Sequence, residues 1–355
     1  MTEDWLIGND SLLNEKFNRT YSEQLRIKTT IEPFSSFKIT LDNQRSFSKN
    51  HTRFLSNNPE TMKNSKKTID GNFSISSNTL KSNDLFHKGA SDEAYEKFKA
   101  NRITIANRLA DNRGETYDID PKTKYPAFYK STSQDVLIPA FVAAYTGQSP
   151  ENVYLDNYFI PLLKSFKDFA RAINWKINYN GLSNVTFVKK YFKSVNLTHG
   201  YDCTYSISSY ETFTSSSMID DEFYSDLVDG NVYLAPDYTI NTVSFNERFG
   251  PIIGIDTKLQ NNITTKFEIR NSRTVSLSLV NTEISEVGGS EWVMGVGYVF
   301  KDVTVNIKTA GATKSYTNEV TTRIDFSIRN NTTIRRTIVD DKKHVISGQK
   351  IYSIK

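Results

Sequence analysis

Residues 194–208 alternate without a break between apolar and polar side chains. Val195, Leu197, His199, Tyr201, Cys203, Tyr205 and Ile207 share one parity, and Ser194, Asn196, Thr198, Gly200, Asp202, Thr204, Ser206 and Ser208 share the other. Successive side chains of an extended chain point to opposite sides, so this pattern predicts a strand with one apolar and one polar face. Strands in globular proteins average about 5–6 residues, and this pattern persists for about twice that length or more. A chain with several such segments must build large sheets.

The pattern does recur. Ile173, Trp175, Ile177 and Tyr179 alternate with Asn174, Lys176 and Asn178, and Val275, Leu277 and Leu279 alternate with Thr274, Ser276 and Ser278. Trp292, Met294, Val296, Tyr298 and Phe300 alternate with Val293, Gly295, Gly297 and Val299, and Ile324, Phe326 and Ile328 with Arg323, Asp325, Ser327 and Arg329. Near the start, Leu25, Ile27 and Ile31 give way to Phe37, Ile39 and Leu41. Asn261-Asn262, Asn271-Ser272 and Gly288-Gly289-Ser290 read as short connectors, which predicts antiparallel meanders of roughly ten to twelve strands. Residues 50–78 are rich in Ser, Asn and Lys and read as partly loop.

The middle of the chain has a different period. Ala94, Tyr95, Phe98, Arg102, Ile105 and Leu109 fall at helical spacing, with Ser91 as N-cap and Asp92 and Glu93 at the positive end of the dipole. A second helix is expected over Gln134–Tyr145, capped by Ser133, kinked at Pro139 and stopped by Gly147; a third is expected around Leu162–Ala172. The chain therefore divides into strands and loops over 1–83, a helical insertion over 84–171, and strands over 172–355.

Composition removes several function classes. With 44 basic against 40 acidic residues in 355, the chain lacks the field of a nucleic-acid binder. Its single cysteine excludes an intramolecular disulfide framework, and its four histidines lie far apart. No run of about 18 apolar residues is present, so no transmembrane helix is expected. The opening Met1-Thr2-Glu3-Asp4-Trp5 has neither half of a signal peptide. Asp220, Asp221 and Glu222 lack the spacing of a calcium loop, His199 lies on an apolar strand face, and Gly295 and Gly297 lie inside a strand, where close backbone approach or curvature explains them better than phosphate binding. No catalytic residue, metal site or cofactor is expected, and the chain does not read as an enzyme.

Two architectures fit the alternation: a soluble β-sandwich and a membrane β-barrel. Strand length, charges in mid-strand on the polar faces, and aromatic residues near the ends of apolar faces favour the barrel.

Particular stretches carry a resemblance. The run FGPIIGIDTKLQNNITTKFEIRNSRTVSLSLVNTEISEVGGSEWVMGVGYVF (249–300) is similar to the C-terminal part of the SprA (Sov) family, the outer-membrane translocons of the type 9 secretion system, required for gliding motility in many hosts. FKITLDNQRSFSKN, NRLADNRG, LIPAFVAAYTG, NWKINYNGLSN, VNLTHGYDCTYSISSY, RIDFSIRNNTTIRRTI and GQKIYSIK agree with the family in the same order, so the resemblance covers nearly the whole chain. It implies a mainly β chain: an antiparallel meander with an α-helical insertion, forming part of a very large outer-membrane β-barrel. The sequence departs from the family at both ends, which implies a fragment. Val195, Leu197, Tyr201, Tyr205, Ile207, Trp292, Met294, Val296, Tyr298 and Phe300 would then face lipid. Asp202, Lys266, Glu268, Arg270, Arg323, Asp325 and Arg329 would line a wet lumen. The implied partners are outer-membrane lipid, exported cargo proteins, plug and shuttle proteins of the secretion system, and the remaining strands of the same barrel, with no nucleic acid.

Overall fold

The period-two segments pair with one another in a computed structural model, which describes residues 15–55, 68–82, 92–114, 116–155, 173–212, 217–219, 222–228, 231–236, 238–309 and 312–355. The strands are β1 (Glu15–Phe34), β2 (Phe37–Leu55), β3 (Thr68–Ser76), β4 (Asn174–Tyr179), β5 (Phe192–Thr212), β6 (Ser217–Ile219), β7 (Glu222–Val228), β8 (Asn231–Leu234), β9 (Tyr238–Ile240), β10 (Thr242–Leu259), β11 (Ile263–Ser278), β12 (Glu283–Thr309), β13 (Ala312–Thr337) and β14 (Lys343–Ile354). Among the described residues three α-helices accompany them: α1 (Asp92–Asp111), α2 (Gln134–Thr146) and α3 (Thr186–Tyr191). The protein is mainly β. Eleven strands form one antiparallel sheet in the order β1-β2-β3-β5-β10-β11-β12-β13-β14, with β4 joining β2 to β5 and β9 lying against β5. Strands β6 to β8 form a small separate sheet.

The helical segment enters this sheet through a broken strand. Both β3 and β4 lie between β2 and β5, end to end: Ile75 opposes Arg45, and Asn174 opposes Asp42. The chain leaves at Ser76 and returns at Asn174, and side chains mend the gap. Gln44 N–H donates to Ser76 Oγ (2.9 Å), while Cys203 N–H donates to Asn174 Oδ1 (2.8 Å), where a continuous strand would offer a carbonyl. Backbone donors inside a sheet must find a partner, and these two side chains supply it.

Several boundaries differ from the sequence reading. Asn271-Ser272 and Gly288-Gly289-Ser290 are not connectors but lie inside β11 and β12, where they oppose each other: Asn271 with Ser290, Ser272 with Gly289. Their turn-like composition is a small, polar waist across paired strands. The real reversal between β11 and β12 is at 279–282, where Thr282 takes a positive φ of 49°. Within 50–78, β2 runs on to Leu55 and β3 starts at Thr68. Ser91 and the expected third helix at 162–172 lie outside the described residues.

Helix α2 is apolar on every side, so it must be covered on every side. Every residue from Val136 to Thr146 is buried, and Phe141 stacks on Phe245 of β10 (5.4 Å between rings). The helix runs continuously through Pro139 and ends at Gly147, whose left-handed conformation (φ 66°) lets its N–H reach Ala143 O. Ser133 does not cap the helix with its side chain, because its hydroxyl accepts from Lys130 N–H instead. The exposed side of α2 is avoided because Tyr95, Phe98 and Ile105 of α1 join the same core.

Gly297 marks a close approach of backbones. A Cβ there would lie 2.5 Å from Thr322 O, and one at Gly295 would run into Asp325 Oδ1. We expect Gly297→Val to push β12 off β13 and cost about 1–3 kcal/mol, the usual range for overpacking, read as a lower denaturation midpoint.

Candidate functional site

Cross-strand partners share a face of a sheet, so the register sorts every side chain. All ten residues expected to meet lipid fall on one face, and all seven expected in the lumen fall on the other. One row shows how far the apolar face extends. Phe34, Phe37, Tyr179, Leu197, Ile255, Phe267, Met294, Phe326 and Ile354 oppose each other in turn, from the outermost strand β1 to the outermost strand β14. Every member is apolar. A neighbouring row continues it through Ile253, Ile269, Trp292, Ile328 and Tyr352. These rows make an apolar belt, and nothing in the described chain covers much of it: Met294, Val296 and Ile324 are 49%, 60% and 67% exposed. Trp292, Tyr298 and Phe300 are exposed in the same stretch.

The belt keeps its face where the sequence changes parity. Apolar residues sit at even positions through Phe300 and at odd positions from Val303. A one-residue β-bulge lies between these two residues, with Asp302 at a φ of 58°. One extra residue turns the next side chains over, so Val305 and Ile307 rejoin the exposed apolar face. From Trp292 to Phe300 alone the strand rises about 26 Å, at about 3.3 Å per residue.

Part of this face is not free, which corrects four of the ten residues expected to meet lipid. Tyr201, Tyr205 and Ile207 are buried in the core that α1 and α2 complete, so the chain itself covers them. Tyr201 stacks on Trp175 (4.5 Å) and donates its hydroxyl to Glu247 Oε1 (2.8 Å). Val195 is also buried, beside Ser183, whose hydroxyl accepts from Val195 N–H (2.8 Å). Leu197 is half-buried within the belt row.

A buried charge ladder holds the helices on the sheet. Glu247, Arg273, Glu286 and Arg336 come from β10, β11, β12 and β13 in turn, alternating in sign. Arg273 meets Glu247 at 3.1 Å and Glu286 at 3.8 Å, and Arg336 meets Glu286 at 3.5 Å. Arg273 also donates to Ser82 O (2.8 Å) and Ser82 Oγ (2.9 Å), and Arg336 pairs with Asp92 at the start of α1. Burial makes each charge costly unless all its partners stay in place, so the ladder fixes where the helices dock. Sequence reading named none of its four strand residues.

At the outer end of this clamp the carboxylates are exposed enough to titrate. Hydrogen bonds from Lys343 and Arg336 hold Asp92 below its ordinary value of 3.8, and Lys99 does the same for Asp341. A depressed carboxylate contributes stability above its ordinary value and loses it as the pH falls through the depressed one. We therefore expect the start of α1 to loosen only below the ordinary aspartate range, seen as new proteolytic cuts near Asp92 in strong acid and none between pH 5 and 8.

The other face is charged and largely self-paired. Lys266 meets Glu268 at 2.7 Å, Arg270 bridges Glu268 and Glu291, Arg323 meets Asp325 at 2.7 Å, and Asp202 pairs with Arg248 at 3.0 Å. Arg329 lines a cleft of about 440 Å³ with Arg248, Arg270, Glu268 and Glu291. Glu268 is buried, and the exposed pairs, Arg323 with Asp325 and Asp202 with Arg248, add little stability. What they do is leave a wet surface with no large excess of either sign. Among the described residues no group of three or more His, Cys, Asp or Glu side chains is placed to hold a metal ion, and no helix is long and apolar enough to cross a membrane. Asp220 and Asp221 lie outside the described residues.

Comparison with known protein families and with characterised proteins finds no match for this chain.

Proposed function

We propose that this chain is part of the wall of a large outer-membrane β-barrel that conducts exported proteins, a conduit and not a catalyst. The observation that carries the membrane reading is the apolar row that crosses the sheet from β1 to β14 with none of its side chains buried and charges behind it. In water such a surface is a large uncovered apolar patch, whereas in hydrocarbon it is stable and the sheet satisfies its own backbone groups. The stretch Trp292–Phe300 has the 9 residues that a tilted membrane strand needs, about 9–11.

The finer reading rests on the resemblance to type 9 secretion translocons. Exported cargo would pass along the face of Lys266, Glu268, Arg270, Arg323 and Asp325, whose mixed charges would not retain a cargo of either sign. Strands β1 and β14 each have one paired neighbour among the described residues, so other strands of the same barrel have a backbone edge to continue from. Plug and shuttle proteins of the system would be the other partners. A soluble β-sandwich used for binding or adhesion is the competing reading, and it needs a second layer over Met294, Val296 and Ile324.

Fractionation of cells making the native product tests the proposal. It should follow the outer membrane and resist carbonate extraction. A product recovered soluble without detergent overturns the barrel and favours the sandwich.

A further inference from the structure

At one end of the belt the chain carries a short basic and aromatic ledge. Helix α3 connects β4 to β5, just beyond the belt residues Tyr179 and Leu197. Phe187 is 72% exposed there, with Val185 and Tyr191 also exposed. Lys189, Lys190 and Lys193 are exposed beside them and form no ion pair among the described residues. The segment from 180 to 195 holds no acidic residue at all. The ledge is nonetheless firmly held: Gln260 N–H donates to Tyr191 O (3.0 Å), the Gln260 amide donates to Lys189 O (2.9 Å), and Lys193 reaches Asn262 Oδ1 (2.5 Å). Exposed aromatic rings and lysines without a carboxylate partner among the described residues, fixed in place at the rim of an apolar surface, are complementary to one environment: the boundary where acyl chains meet anionic headgroups.

We propose that α3 and its flanks are a headgroup anchor, in which Val185, Phe187 and Tyr191 enter the acyl boundary while Lys189, Lys190 and Lys193 bind the phosphates of anionic phospholipid. This rests on the membrane reading of the belt and adds a lipid preference to it. Its position on a short connection agrees with a headgroup role. A turn at the end of a membrane strand sits at the level of the headgroups, and the Ser35-Ser36 turn and the Gln260–Asn262 turn close the same end of the sheet.

The test uses the full chain purified in detergent and offered to two kinds of vesicle, phosphatidylcholine alone and phosphatidylcholine with phosphatidylglycerol, at low and high salt. Wild type should partition more strongly into the anionic vesicles, and the difference should shrink at high salt. The triple variant K189Q/K190Q/K193Q should lose about fivefold per lysine in anionic vesicles, equivalent to about 1 kcal/mol each, and be unchanged in neutral ones. An undiminished anionic preference in the triple variant, or none in wild type, overturns the anchor and leaves the belt standing. A wild-type chain that enters neither vesicle overturns the belt and the anchor together. Glutamine keeps the helix propensity of lysine, so the variant should fold as wild type does, with far-ultraviolet circular dichroism as the control.

Discussion

Arginine in place of Met294 or Val296 should stop the chain from entering membranes while leaving the core under its helices intact. Both positions are about half exposed or more and lie outside the buried core, so an arginine there changes the core's stability by less than about 0.5 kcal/mol. At the middle of a bilayer the same substitution on a barrel's lipid face costs about 2–4 kcal/mol, and the two together should abolish insertion. Arginine at Ser327, on the opposite face, should be tolerated in both settings, because that face already carries Arg323 and Arg329. The measurement is insertion into vesicles beside the urea midpoint of the same chain kept in detergent. Equal insertion of M294R/V296R and wild type would remove the membrane reading. These positions decide more sharply than Tyr205 or Ile207, where an arginine would wreck the core whatever the surroundings.

How much of this was legible in the sequence depends on the range of the interaction. Strand parity is local, and it put the ten apolar and the seven charged residues on opposite faces of one sheet. The helical periods of α1 and α2 are local too. What covers a face is not. Residues 195–207 show one uniform pattern, yet Tyr201, Tyr205 and Ile207 lie under the chain's own helices while Leu197 belongs to the belt. The difference is set by contacts with Trp175, Phe245 and α2, up to about seventy residues distant and invisible to a period. The waist at Asn271-Ser272 and Gly288–Ser290 misled for the same reason. Turn chemistry is a composition, and only the pairing of β11 with β12 shows that these residues oppose each other within strands. The bulge at Asp302 did leave a mark, a change of apolar parity between Phe300 and Val303.

The charge ladder also left a mark that a single strand does not reveal. Glu247 stands between Phe245 and Phe249, Arg273 precedes Val275 and Leu277, Glu286 follows Ile284, and Arg336 follows Ile334. Each is a charge at an apolar parity, and the four alternate in sign over four consecutive strands. That conjunction gives the second large prediction. Glu286→Ala should destabilise the docked helices by about 3–5 kcal/mol, because it leaves two buried guanidinium groups, of Arg273 and Arg336, short of their shared partner. Both side chains of the Glu286–Arg336 pair are 2% exposed, so water cannot take the missing place. The double variant Glu286→Leu with Arg336→Met should recover much of that loss, since an apolar pair of similar size removes the orphaned charge along with the ladder. It should not recover the position of α1, which Arg336 holds through Asp92. Urea midpoints report the first effect, and protease cutting near Asp92 reports the second. A single variant no less stable than wild type would mean that the ladder does not bear on docking, whereas recovered stability with a loosened α1 would separate what holds the sheet together from what fixes the helices upon it.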